Sequence, residues 1–150
     1  MYTKLIAHRG NMWGPIPKKE NSPAYIKEAI QQGFDVEVDL WKIDRAFFLG
    51  HDKGKYKITE KWLYTYPSMT WFHCKNSAAL EYCISYGLHC FWHQNDDYTL
   101  TSNGYIWTYP GKVVPECGVL VDKNLKMAPK SEIEFICSDY VGEIKKNVGS

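Results

Sequence analysis

The seven residues 34–40, Phe-Asp-Val-Glu-Val-Asp-Leu, constrain this chain more than any other stretch. Strand side chains alternate sides, so Val36, Val38 and Leu40 face one way while Asp35, Glu37 and Asp39 face the other. Ile43, Asp44 and Arg45 interrupt, and residues 46–50 read as a second strand ending at His51 and Asp52. A connection this short cannot carry a parallel crossover, so the two strands must form an antiparallel hairpin. With its turn near Asp44 and Arg45, the return strand brings His51 back approximately opposite Asp39. One face of this ribbon therefore needs an apolar partner, and the other gathers carboxylates beside an imidazole.

The chain around the hairpin has 150 residues, the size of one domain spanning 1–150. With 45% hydrophobic and 15% aromatic residues it has material for a full core. Eighteen basic against seventeen acidic residues leave a net charge of +1, which offers no general attraction to nucleic acid or anionic lipid. No apolar run approaches the roughly 18 residues that span a bilayer, so no stable membrane insertion is expected. Met1-Tyr2-Thr3-Lys4 runs into the first strand without a signal-peptide pattern, and the expected location is cytoplasmic. The five cysteines, Cys74, Cys83, Cys90, Cys117 and Cys137, show no Cys-x-x-Cys spacing and read as small core residues.

Residues 4–8 read as a short buried strand ending in His-Arg-Gly, followed by a loop holding Gly14, Pro15 and Pro17. Asn21 or Ser22 can cap a first helix, Pro23 suits its first turn, and Tyr25, Ile26, Ala29 and Ile30 recur at helical spacing before Gly33. Later come a strand at 70–75, a helix at 77–86 and a strand at 89–93. A second hairpin spans 98–101 and 105–108, two short strands follow at 118–121 and 135–138, and the tail 145–150 reads as frayed.

Each chemical candidate has an ordinary structural explanation when taken alone. Glu37 and Asp39 fit a solvated strand face, His8 a core position, Arg9 a surface position and His51 a turn bonded to Asp52. Together they put two histidines and two carboxylates at strand ends, which an α/β domain gathers at one mouth. Side-by-side carboxylates are costly there unless a cation neutralises them, and a hard divalent metal does so most simply.

At these residues the sequence resembles the glycerophosphodiester phosphodiesterase family, within the phosphatidylinositol phospholipase C-like phosphodiesterases. The resembling run is Ile6-Ala7-His8-Arg9-Gly10, then Glu20-Asn21, Glu37-Val38-Asp39, Asp44 and Gly50-His51-Asp52. It covers the first third of the chain. Weaker matches follow in order at 71–75, 106–108 and 136–139.

The resemblance implies His8 and His51 as general acid and base, Glu37 and Asp39 as metal ligands, and Arg9 and Lys75 as phosphate-binding cations. Glu20 corresponds to a further acid near the metal; with His93 and Trp107 it is a candidate substrate contact. One departure is that His73 replaces the family's third acidic ligand. His73 either ligates or hydrogen-bonds substrate or Glu37. The expected cofactor is therefore Mg²⁺, Mn²⁺ or Ca²⁺, with Zn²⁺ compatible if His73 binds.

A full (β/α)₈ barrel needs about 250 residues. The expected fold is thus α/β, a reduced TIM-type barrel with missing or shortened outer helices and a β-hairpin insertion. Bare outer strands make a homo-oligomer the companion expectation. The implied function is metal-dependent cleavage of a small glycerophosphodiester-like substrate, as in lipid metabolism, by hydrolysis or by cyclic phosphate release. The alternative is a catalytically silent phospho-ligand binding module on the same fold.

Overall fold

The computed structural model describes residues 3–148. In chain order the elements are β1 (Lys4–His8), α1 (Pro23–Gln31), β2 (Asp35–Ile43), β3 (Ala46–Leu49), β4 (Tyr56–Ile58), a 3₁₀ turn (Glu60–Tyr64) and β5 (Thr70–Cys74). They continue with α2 (Ser77–Ser85), β6 (Cys90–Phe91), β7 (Tyr98–Leu100), β8 (Ile106–Thr108), β9 (Gly118–Val121), β10 (Phe135–Ser138) and α3 (Val141–Val148). The protein is mixed α/β, with the strands in one curled, half-barrel sheet.

β2 is the hub of that sheet. Its first residues pair in parallel with β1, placing His8 beside Glu37, and with β5, placing Asp39 beside His73. Its last residues pair antiparallel with β3, Leu40 against Leu49 through Ile43 against Ala46, so the expected hairpin forms. β10 closes onto the other side of β1, and β9 and β8 follow in parallel. Between β6 and β8 a loop does the joining: the Ser102 amide donates to the Cys90 carbonyl at 2.8 Å, and the Cys90 amide donates to Ser102 Oγ at 2.8 Å.

The curl separates two apolar regions. On the convex side α1 packs on β2, α2 on β2, β5 and β6, and α3 on β1. That layer buries Val36, Val38 and Leu40 with Ile26, Ala29 and Ile30 of α1. On the concave side Ile6, Trp71, Phe91, Trp107, Val119, Phe135 and Cys137 meet in one cluster, although they come from six strands. Residues so far apart along a sheet can touch only if it wraps around them.

Local chemistry explains the helix ends. Ser22 Oγ accepts the Tyr25 amide at 3.3 Å and Pro23 occupies the first turn, while Asn76 Oδ1 caps α2 by accepting the Ala79 amide at 3.0 Å. Asn76 also exchanges two bonds with the backbone of Lys42, tying α2 to the hairpin.

Several expectations are corrected. The expected frayed tail is helical as far as Val148, because Val141 and Ile144 are buried and Lys145 Nζ reaches the Gln32 carbonyl at 3.2 Å; residues 149–150 lie outside the described residues. β6 covers two residues of the expected five, since His89 and His93 turn to Thr101 Oγ1 and the Asp96 carbonyl respectively. β4 and the 3₁₀ turn lacked a clear sequence period. Of the cysteines, four are buried and Cys117 is exposed. Among the described residues no helix is long and apolar enough to cross a membrane.

Candidate functional site

The polar site begins where β1 ends. Arg9 takes a left-handed backbone (φ 56°) and Gly10 follows at φ 88°, turning the chain so that the Arg9 amide donates to the Glu37 carbonyl at 3.0 Å. A Cβ on Gly10 would press on the Tyr25 ring at 2.9 Å, so glycine is required by space as well as by φ. Asn21 is also left-handed (φ 68°), and it is not the helix cap. Its side chain instead brackets Asp39, accepting the Asp39 amide at 2.9 Å and donating to Oδ2 at 2.9 Å. Two strained non-glycine residues beside the same carboxylate are the kind of cost that persists where geometry matters more than stability.

His8, Arg9, Glu20, Asn21, His51 and Asp139 line one cavity of about 490 Å³, with Lys53, Lys55 and Lys123 also on its wall. His8 and His51 thus share a cavity as the hairpin register requires. The Gly50 amide donates to the Asp39 carbonyl at 3.1 Å, so Gly50 is the residue opposite Asp39 and His51 is one step beyond. A Cβ at Gly50, where φ is 153°, would overlap the Lys53 carbonyl, which fixes the tight loop carrying His51.

Both cavity histidines are held through Nδ1. Asp139 Oδ1 lies 2.7 Å from His8 Nδ1, and Asp52 Oδ1 lies 2.7 Å from His51 Nδ1. A carboxylate can only accept, so in each ring Nδ1 carries the proton and Nε2 is the remaining site for chemistry. Burial pulls the His8 pKa down, but the Asp139 bond and the Glu37 charge outweigh it and the net shift is upward. For Asp139 burial pushes up, and the bonds from His8 and Asn11 carry it below its ordinary value. His51 is half exposed.

Glu37 and Asp39 are almost wholly buried at 2% and 0% exposure. They do not line the cavity. Arg9 does, and its Nε sits 3.4 Å from Asp39 Oδ2 while Nη1 donates to Glu20 Oε1 at 3.2 Å. The guanidinium thus lies between the cavity and the carboxylates expected at its floor. Glu37 Oε1, Asp39 Oδ1 and Arg9 Nε are buried without a hydrogen-bond partner. Burial and the neighbouring Asp39 charge push the Glu37 pKa up.

His73 completes this inner group. Nε2 is 2.9 Å from the His93 carbonyl and must donate to it, which leaves Nδ1 3.3 Å from Asp39 Oδ1 and 4.0 Å from Glu37 Oε2. Burial pushes the His73 pKa down, so its neutral form presents a lone pair to two carboxylates. Ligand atoms from Glu37, Asp39 and His73 all lie within 4.8 Å of one another. Two orphaned oxygens and a nitrogen lone pair converging in the interior are a donor set that fits a divalent cation.

The other expected residues fall in different places. Lys75, half-buried just past β5, acts on Glu37 and His73 by charge. Glu20 accepts from Arg9 and from Asn11 Nδ2, the latter at 3.0 Å. His93 is a backbone partner of His73, is half-buried and does not line the cavity. Trp107 does not line the cavity: it stacks on Phe91 at 4.5 Å inside the concave cluster.

Sequence reasoning missed Asp139 as the orienter of His8 and missed Asn11. Asn11 is fully buried, donates to both Glu20 and Asp139, and accepts from the Tyr25 hydroxyl at 3.0 Å. The Ser-Asp pair closing the last strand was the one available signal for Asp139. No protein-family model, curated protein or solved structure matches the chain.

Proposed function

We propose that the protein is a metal-dependent phosphodiesterase on a reduced TIM-type barrel, cleaving a small glycerophosphodiester-like substrate by histidine acid-base catalysis. The observation that carries this reading is the pair His8 and His51, each bound through Nδ1 to a carboxylate and both on one cavity above a buried acidic group.

His8 is the acid. Asp139 favours its imidazolium, and Nε2 is left to give a proton to the departing alkoxide. His51, on the opposite loop, is the base that takes a proton from water or from a neighbouring substrate hydroxyl. Its greater exposure suits a group that must exchange that proton with solvent. Arg9 balances the negative charge of the diester from inside, while Lys53, Lys55 and Lys123 attract it at the mouth.

Glu37, Asp39 and His73 would hold the divalent metal beside the Arg9 guanidinium. Bound there, such an ion would supply Lewis-acid polarisation of a phosphoryl oxygen. The mixed oxygen and nitrogen set favours Mn²⁺ or Zn²⁺ over Ca²⁺.

The test is turnover of a chromogenic diester and a panel of glycerophosphodiesters after EDTA treatment, then with Mg²⁺, Mn²⁺, Ca²⁺ or Zn²⁺ restored. Activity lost to EDTA and recovered with metal is expected. Tight diester binding without turnover under every metal would establish the binding module instead, and neither binding nor turnover would remove both.

A further inference from the structure

We propose that Cys74, Cys83 and Cys90 form a buried three-sulfur site for a soft monovalent metal ion of the copper(I) class, on the opposite face of the sheet from the acidic group. The cysteines come from three elements: the end of β5, the body of α2 and the start of β6. The fold brings them together. Phe72 pairs with Cys90 across the parallel strands, so Cys74, two residues on, shares their convex face, and α2 lays Cys83 over both. All three are free thiols and at most 1% exposed.

Their sulfur atoms all lie within 4.8 Å of one another. Three sulfurs around an ion at bond lengths of about 2.3 Å stand about 4.0 Å apart, so a contraction below about 1 Å completes the site. Among the described residues no fourth histidine, cysteine or carboxylate joins the group. Trigonal sulfur coordination excludes the hard cations suited to Glu37 and Asp39, and the missing fourth ligand disfavours tetrahedral zinc.

Charge narrows the choice further. The surroundings are apolar, with Ala79, Leu88 and Val38 in the same layer, so a net charge left there is costly. One thiolate with two thiol donors is neutral around a monovalent ion. A divalent ion on the same set leaves a buried positive charge, or must expel a further proton.

The exposed Cys117 is a competing thiol, so the experiment uses Cys117→Ser as its background. The full-length reduced protein is titrated anaerobically with Cu(I) against a chromophoric Cu(I) chelator, and the loaded protein is examined by X-ray absorption. We expect one Cu(I) per chain with three sulfur neighbours. Cys83→Ala should weaken binding at least about a hundredfold, since even outer-shell partners are worth ten- to a hundredfold. Failure of the chain to retain Cu(I) against the chelator, or a copper with fewer than three sulfurs, overturns the proposal. So does unchanged affinity in a folded Cys83→Ala. If that variant does not fold, the absorption result on the Cys117→Ser protein decides alone.

Discussion

The concave face of the sheet holds two regions that solve the burial of polar groups in opposite ways. Towards the start of the strands Trp71 packs against Phe135, Tyr105 and His89, and its indole N–H donates to Asp35 Oδ2 at 3.0 Å. His89 is bonded to Thr101 Oγ1 at 2.8 Å. Each polar group named there has a partner. Two residues further along the same strands, Glu37, Asp39 and His73 face one another with two carboxylate oxygens unpartnered, beside a strained Arg9. The lower region satisfies its polar groups and the upper one leaves carboxylate oxygens bare, a division expected where function opposes stability; under the proposed function the upper region takes up a cation.

The comparison breaks first at its stable side. Trp71 is 2% exposed at the centre of the aromatic stack, so Trp71→Ala should destabilise the protein by about 3–5 kcal/mol. Denaturant unfolding measures this. A loss no larger than that of an exposed control such as Tyr86→Ala would mean that the concave face is not a packed core.

The same region should respond to acid. Burial lowers the His89 pKa to about 4 from its ordinary 6.5. Above pH 6.5 the ring is neutral in folded and unfolded chains alike. As the pH falls from 6.5 towards 4, only the unfolded chain takes up the proton, so stability is lost across that window, by on the order of 3 kcal/mol in full. His89→Gln should flatten the pH dependence of the unfolding free energy there; an identical slope in the variant would remove His89 as its source.

In the upper region the expected loss is of rate. His8→Ala and His51→Ala should each lower turnover at least about a hundredfold while leaving the unfolding midpoint close to that of the parent. Asp139→Asn should act through His8, moving the alkaline limb of the pH–rate profile to lower pH, because the acid must stay protonated and its imidazolium loses the carboxylate that favours it. Unchanged activity per folded molecule in His8→Ala would return that histidine to a structural role.

How far each region could be read from sequence follows from the range of its contacts. The β2–β3 hairpin was legible because alternation at 34–40 and a two-residue turn are local, and His51 reaches the cavity as a consequence. Gly10 was legible because a strand followed by His-Arg-Gly demands a turn. Asp139 pairs with His8 across 131 residues of separation, and no periodicity reports such a contact. The burial of Glu37 and Asp39 under Arg9 depends on curl, which alternation leaves open. The convergence of Cys74, Cys83 and Cys90 escaped notice for the same reason: their spacing follows no short motif, and only the packing of α2 on β5 and β6 unites them.

The smallest effect is the sharpest test of the contrast, because its sign depends on metal. Glu37→Gln keeps the shape of the side chain but replaces a buried carboxyl, whose pKa burial and the Asp39 charge push up to about 8, by an amide that cannot ionise. It also puts an amide donor in a group whose ligand atoms lie within 4.8 Å, where Asp39 Oδ1 lacks a partner. In EDTA the variant should therefore be more stable than the parent, by about 1–2 kcal/mol, since a buried unsatisfied polar atom costs that much. With saturating Mn²⁺ the order should invert, because the parent gains binding free energy that the variant, with a ligand removed, largely forgoes. Melting temperatures for both proteins with EDTA and with Mn²⁺ measure the crossing. If Glu37→Gln is the less stable protein under both conditions, Glu37 is a satisfied structural residue, and the upper region is as conventional as the lower one.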